Sequence, residues 1–147
     1  MLYESTRGSK NKKTGAQAVI QGIAEDKGLY VPESIPALPF DLKEMAEKIA
    51  AGKAGYRDVA HAVIGAFFDD FTEDEMKACI EGAYDKKFTA EDIVDIKTAG
   101  GAHFLELYHG KTAAFKDMAL SILPYLMTTS CKKEGEENKI CILTATS

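Results

Sequence analysis

Lys116 is the residue whose type and surroundings most clearly suggest chemistry. It lies in the segment HGKTAAFKDMALS, residues 109 to 121. If a helix begins after Thr112 as its N-cap, the helical period places Lys116 on one apolar stripe with Ala119, Leu120, Leu123 and Met127. Lysine is seldom buried unless it is paired or functional, so this position makes Lys116 a candidate for a buried, chemically active amine.

Schiff-base formation with an aldehyde is the chemistry that suits such a lysine. An amine attacks an aldehyde only when it is neutral, and free lysine is almost fully protonated at neutral pH. Burial disfavours the charged form, and the positive end of a helix dipole acts in the same direction. The pattern also fits a lysine whose methylenes lie along the core while its ammonium reaches water. The neighbouring residues decide between these interpretations.

Three segments, in the same order along the chain, resemble the threonine synthase family. The run HGKTAAFKD, residues 109–117, is similar to the pyridoxal-phosphate lysine motif of that family, with Lys111 where the family usually has proline. Near the start, YESTRG (3–8) is followed by GIAEDKGLYVP (22–32). At the end, ILTATS (142–147) resembles the strand that enters the Ser-Gly-Asp-Thr-Gly loop of the family.

The resemblance implies a pyridoxal-phosphate-dependent lyase of threonine biosynthesis, which converts O-phospho-L-homoserine and water into L-threonine and phosphate. Lys116 would hold the cofactor and move protons on the substrate, and Phe115 would lie beside the cofactor. The substrate-binding candidates that it implies are Thr144, Ser147 and Arg7. Ser147 would be the first residue of the family loop. We therefore expect the chain to be the N-terminal part of a longer enzyme and to be inactive alone.

Hydrophobic periodicity predicts a mostly helical first part of the chain. Capping boxes are expected at Thr14 with Gln17 and at Thr72 with Glu75. Helices are predicted over residues 42–50, over 56–68, and after Thr72, where Met76, Cys79, Ile80 and Ala83 form a buried stripe. With the resemblance, residues 1–93 are interpreted as the N-terminal, mostly helical region of threonine synthase.

The composition changes near residue 94. Strands are predicted over 94–98, 103–108 and 139–144, with the Lys116 helix and a charged loop at 132–139 before the last of them. Pro124 predicts a kink or a late helix start. Strand, helix and strand in this order predict a parallel sheet. The fold class is thus α/β: a helical cap followed, at residues 94–147, by the incomplete βαβ start of a pyridoxal-phosphate-binding domain.

Bulk composition excludes several classes of function. The net charge of −5 argues against a nucleic-acid-binding protein. No apolar run reaches transmembrane length, and the first residues lack a signal-peptide core. Cys79, Cys131 and Cys141 are widely spaced and form no Cys-x-x-Cys motif, which argues against a disulfide framework. We therefore expect a reduced, cytoplasmic protein.

A metal site and a proton-transfer role for Asp117 are both disfavoured by geometry. On an extended strand His103 and His109 would lie about 20 Å apart, with Glu106 on the opposite face, so no metal site is predicted. Asp117 is about 100° from Lys116 around a helix, so we expect it to fix local structure.

Two alternative functions remain open. One is a different pyridoxal-phosphate-dependent phospho-lyase on the same fold, which releases a keto acid and shares Lys116. The other is a non-catalytic helical binding module. For the isolated chain, the unpaired edge of a C-terminal strand without its sheet neighbours predicts some self-association.

Overall fold

Residues 1–143, which the computed structural model describes, contain short strands paired in two sheets and helices that pack mainly through one core. The elements are, in order, β1 (Tyr3–Ser5), α1 (Gly15–Gln21), β2 (Tyr30–Pro32), α2 (Leu42–Ala50), α3 (Tyr56–Phe67), α4 (Glu73–Ala83), β3 (Asp95–Ala99), β4 (Ala102–Glu106), α5 (Asp117–Leu120) and α6 (Leu123–Glu134). Helices α2 and α3 begin at the predicted residues and end within one residue of the predicted ends.

Both predicted capping boxes are confirmed. The hydroxyl of Thr14 accepts the N–H of Gln17, and the Gln17 side chain accepts the N–H of Thr14 in return. Thr72 and Glu75 make the same reciprocal pair, at 3.2 and 2.8 Å. Each pair satisfies backbone donors that the first turn of a helix leaves free, which is why α1 and α4 begin where they do.

The core lies where α6 packs against α1 and α4. Its buried residues include the predicted stripe of α4 together with side chains of α1, of α3, of α6 and of the residue before α6: Ala16, Ala60, Met76, Cys79, Ile80, Ala83, Ile122 and Leu126. Residues on both sides of position 93 therefore contribute to one core. All three cysteines are free. Within residues 1–143, no helix has the length and apolar character needed to cross a membrane.

Two antiparallel pairs make up the sheet structure. Strand β1 pairs with β2, and β3 pairs with β4 in a hairpin that runs from Asp95 opposite Glu106 to Ala99 opposite Ala102. Gly100 and Gly101 form the turn, with φ of 58° and 78°. Glycine adopts such angles without strain, and two consecutive positive φ values suit a two-residue hairpin turn.

The parallel βαβ unit predicted for residues 94–147 is not formed in the described part of the chain. The strands near 95 and 102 form as predicted, but they pair with each other in an antiparallel manner. Residues 139–143 are not in a strand, and residue 144 lies outside the described residues. A strand buried on both faces needs hydrogen-bonded neighbours, and residues 1–143 supply none beside 139–143.

The predicted helix around Lys116 is much shorter than expected. Residues 111–116 form turns, and α5 contains only Asp117–Leu120. Ala113 has a φ of 54°, in the left-handed region, which a continuous right-handed helix does not allow. The late start predicted from Pro124 is confirmed, because α6 begins at Leu123 with the proline in its first turn.

Candidate functional site

The lysine loop, residues 109–117, connects the end of β4 to α5 and carries Lys116. Its last residue, Asp117, is 7% exposed. The carboxylate of Asp117 accepts the backbone N–H of Thr112 at 2.8 Å and the Thr112 hydroxyl at 2.6 Å. The Thr112 hydroxyl, followed by the backbone donors, lowers the pKa of Asp117 because these bonds favour the charged form. This contact confirms that Asp117 fixes local structure.

Gly110 allows the loop to fold back on itself. A Cβ added at Gly110 would lie 2.4 Å from the Cβ and from a carboxylate oxygen of Asp117, closer than real contacts allow. The N–H of Ala113 donates to the Gly110 carbonyl at 3.2 Å. This bond and the bonds between Thr112 and Asp117 close the loop that carries Lys116, the residue before α5.

His109 fixes the entry to the lysine loop. Its Nε2 lies 3.0 Å from Glu106 Oε2, and its Nδ1 lies 3.2 Å from Thr89 Oγ1. The prediction that Glu106 faces away from His109 is wrong. It assumed an extended strand through residue 109, whereas β4 ends at Glu106 and residues 107–109 are not in a strand.

Lys116 lines an apolar groove with a volume of about 520 Å³. The groove brings residues of α3, β4 and α5 together, and its other lining residues are Tyr56, Val94, Leu105, Leu107, Phe115, Met118, Ala119 and Leu120. The prediction that Lys116 is buried is wrong, because its side chain is exposed. Helix α5 starts only after Lys116, so the predicted apolar stripe does not form around it.

The other predicted site residues are distributed unevenly. Phe115 lines the groove beside Lys116 and is 66% exposed. Arg7 is exposed in the loop after β1, and it is not a lining residue of the groove. Thr144 and Ser147 lie outside the described residues. The structure therefore brings together two of the predicted residues, Lys116 and Phe115.

The histidines near the loop bind side chains of the protein. His103 Nδ1 lies 2.9 Å from Thr98 Oγ1 across the hairpin, and His109 contacts Glu106 and Thr89. Over residues 1–143, no three His, Cys, Asp or Glu side chains are placed to hold a metal ion.

Several residues of the site were not identified from the sequence. The hydroxyl of Tyr84 donates to the Met118 carbonyl at 2.9 Å, and Tyr56 and Leu105 form groove walls. The Gly100–Gly101 pair was an available signal for a hairpin, and hence for the position of Leu105. We see no local signal that would have identified Tyr84 or Thr89.

Comparison with known proteins identifies the family. A family profile described as "Threonine synthase N terminus" matches residues 2–84. The chain belongs to the threonine synthase N-terminal family. It is 37% identical over 151 residues to a threonine synthase of Corynebacterium glutamicum, a match that covers all of this chain and 31% of that protein. It is 29% identical over 148 residues to "Threonine synthase-like 2" of Rattus norvegicus, with 99% of this chain and 29% of that protein covered.

The fold agrees with this family. The crystal structure of pyridoxal-phosphate-bound threonine synthase from Brucella melitensis aligns with a TM-score of 0.76 and 32% identity. The alignment covers 92% of this chain and 28% of that one. The mixed α/β arrangement thus resembles part of a threonine synthase, and the chain spans about three tenths of the length of the relatives that it matches.

Proposed function

We propose that this chain is the N-terminal part of a pyridoxal-phosphate-dependent threonine synthase in which Lys116 holds the cofactor. The observation that carries the proposal is that Lys116 is the charged residue of an otherwise apolar groove in a chain of this family. The proposed reaction converts O-phospho-L-homoserine and water into L-threonine and phosphate. Residues 1–93 are the helical N-terminal region, and residues 94–147 begin the cofactor-binding α/β domain, whose sheet the remaining chain completes.

The groove fits part of the cofactor. The amine of Lys116 is the group that condenses with an aldehyde, and the apolar walls, which include Phe115 and Leu105, suit the faces of a pyridine ring. A phosphate needs several N–H or cationic donors, and the groove lining supplies only Lys116. We therefore expect the contacts to the phosphate and the ring nitrogen to come from the part of the related enzymes that this chain does not cover, and we expect the chain alone to be inactive.

The proposed mechanism uses Lys116 as a mobile amine on a fixed backbone. Pyridoxal phosphate, when bound, supplies the electron sink that makes carbanions at the substrate accessible. Lys116 would take protons from the α and β carbons of the substrate. As phosphate leaves the γ carbon and the hydroxyl of water adds at the β carbon, protons would return to the α and γ carbons, and the remaining proton of water would go to the phosphate. The bonds between Thr112 and Asp117 hold the backbone while the lysine side chain moves.

A second candidate is a pyridoxal-phosphate-dependent phospho-lyase that releases a keto acid. The relative from Rattus norvegicus, named only as threonine synthase-like, is the observation that favours it. Such an enzyme would use Lys116 in the same way. Product analysis separates the two candidates, because the second forms no threonine.

Trapping of the cofactor tests the proposal. This chain would replace the matching segment of the Corynebacterium glutamicum enzyme, and cooperative thermal unfolding would show that the chimera folds. After incubation with pyridoxal phosphate, borohydride reduction and peptide mapping should place the label on Lys116 in the chimera and not selectively in the isolated chain. Lys116→Arg keeps the charge but should abolish labelling and threonine formation. Labelling of many lysines with Lys116 unmarked would favour the non-catalytic binding module.

A further inference from the structure

The segment from Tyr84 to Thr89 contacts the chain on both sides of Lys116. At the first end, the Tyr84 hydroxyl donates to the Met118 carbonyl at 2.9 Å. At the other end, the N–H of Thr89 donates to the His109 carbonyl at 2.9 Å, and Thr89 Oγ1 lies 3.2 Å from His109 Nδ1. Tyr84 and Thr89, which are close in sequence, therefore hydrogen-bond to residues on either side of Lys116: Thr89 to His109 before it and Tyr84 to Met118 after it.

This segment is anchored in the core of the protein. Tyr84 and Phe88 are both buried, and the Tyr84 ring packs edge-on against Tyr56 with centroids 5.0 Å apart. The Arg57 side chain donates to the Tyr84 carbonyl at 2.6 Å, which fixes the end of α4 against α3. Burial raises the pKa of Tyr84, so its hydroxyl stays protonated and remains a donor.

The lysine loop responds to these contacts as a unit because it is closed internally. The bonds from Thr112 to Asp117, and from Ala113 to Gly110, link its two halves. Fixing such a closed loop at both ends sets its orientation on the protein, since one contact alone would leave a rotation free. Tyr56 is both the packing partner of Tyr84 and a wall of the groove, so the orientation is set relative to that wall.

We propose that Tyr84 and Thr89 are positioning residues for Lys116, which together fix the orientation of the lysine loop on the groove. The role of Lys116 in this inference rests on the proposed function, whereas the restraint of the loop by Tyr84 and Thr89 does not. Neither residue touches the groove interior, because neither is among its lining residues. Their effect on chemistry therefore passes through the loop.

Amide hydrogen exchange in the 147-residue chain, measured residue by residue by NMR, tests the inference. Tyr84→Phe keeps the buried ring and removes only the donor, and Thr89→Val keeps the branched shape and removes only the hydroxyl. Tyr84→Phe removes the bond to the Met118 carbonyl, and Thr89→Val removes the contacts of the hydroxyl with His109 Nδ1 and with the His109 carbonyl, so exchange at Ala113 and Asp117 should rise about fivefold in each variant. Amides of α4 should keep their rates, and Thr89→Ser, which retains the hydroxyl, should behave as the unchanged chain.

Three results would overturn the inference: unchanged exchange in the loop, equal acceleration throughout α4, or a Thr89→Ser variant that behaves like Thr89→Val. Equal acceleration would mean that the two residues stabilise the whole fold and do not position the loop. The readout needs no cofactor. If loop exchange changes as expected but Lys116 is not labelled in the trapping experiment, the proposed function is wrong. The inference that Tyr84 and Thr89 fix the orientation of the lysine loop is then still supported.

Discussion

Asp117 holds Thr112 at two atoms, the backbone N–H and the hydroxyl, and thereby closes the loop that presents Lys116. The Thr112 hydroxyl is used as a donor to this carboxylate. The left-handed φ of Ala113 excludes a right-handed helix at that residue. Helix α5 starts at Asp117 for this reason, and the amine before it lies at the edge of an open groove.

Asp117→Asn should destabilise the chain in a manner that depends on pH. The pKa of Asp117 is lowered in the folded protein, since Thr112 bonds to its charged form. Its contribution to the free energy of unfolding is therefore complete above the unfolded-state pKa of about 3.9 and is lost as the pH falls through the lower folded pKa. Thermal unfolding should show a lower Tm for the variant than for the unchanged chain at pH 7. The two Tm values should converge as the pH falls below about 4.

Asp92→Asn is the matched control, because Asp92 is an exposed carboxylate of the same type. Its Tm should follow that of the unchanged chain at every pH. A constant difference between the Asp117 variant and the unchanged chain from pH 7 to pH 3 would show that the charge of Asp117 does not carry the effect.

The helical part of the fold was predictable because its signals are local. Thr72 with Glu75 marks a helix start by itself, and the spacing of Met76, Cys79, Ile80 and Ala83 defines a buried face without knowledge of its partner. What packs against that face was not predictable, since Ile122, just before α6, and Leu126 of α6 lie at least 39 residues further along the chain. Periodicity reports which face is buried and not which element covers it.

The geometry around Lys116 was not predictable from the sequence. The motif proposes Lys116 as the cofactor lysine, but the exposure of its side chain follows from the φ of Ala113 and from the bond between Thr112 and Asp117. Neither has a signal in the helical period. In the same way, the apolar pattern at 139–144 indicated a strand, but a strand also depends on neighbours that the pattern does not contain.

Ser130→Ala should stabilise the chain by about 1 kcal/mol, because a buried polar group without a partner costs about that much or more. Ser130 is fully buried in α6, and its hydroxyl finds no hydrogen-bond partner among the residues that the structure describes. Chemical denaturation would measure the change. Thr128→Val is the control, since the exposed Thr128 hydroxyl donates to the Pro124 carbonyl and its loss should change stability by less than about 0.5 kcal/mol. A loss of stability in Ser130→Ala would show that the hydroxyl is paired.

Ala113→Gly should also stabilise the chain, by about 0.5 kcal/mol. A left-handed conformation costs an L-residue roughly 1–2 kcal/mol, and glycine avoids this cost but loses more entropy on folding. The next residue, Ala114, does not have a positive φ, so Ala114→Gly should destabilise by roughly 0.5–1 kcal/mol. Urea unfolding of both variants provides the comparison. Destabilisation by both substitutions would contradict the strain at Ala113.

The hairpin of β3 and β4 exposes an apolar surface that differs from the edge predicted from the sequence. The prediction placed the exposed edge at residues 139–144, whereas the hairpin leaves Ile96, Phe104 and Leu105 exposed. Each of its strands is paired on one side only within residues 1–143. Unpaired strand edges beside apolar side chains are templates for pairing with another chain.

We therefore expect the 147-residue chain to self-associate through this hairpin as its concentration rises. Phe104 is 54% exposed, and burying such a side chain contributes roughly 1.5–3 kcal/mol. Phe104→Lys should thus weaken association by about tenfold or more, as measured by light scattering over a concentration series. Ile35→Lys is the control, because Ile35 is 82% exposed but lies in the loop after β2. A monomer at every concentration, or equal weakening by both variants, would exclude the hairpin as the contact.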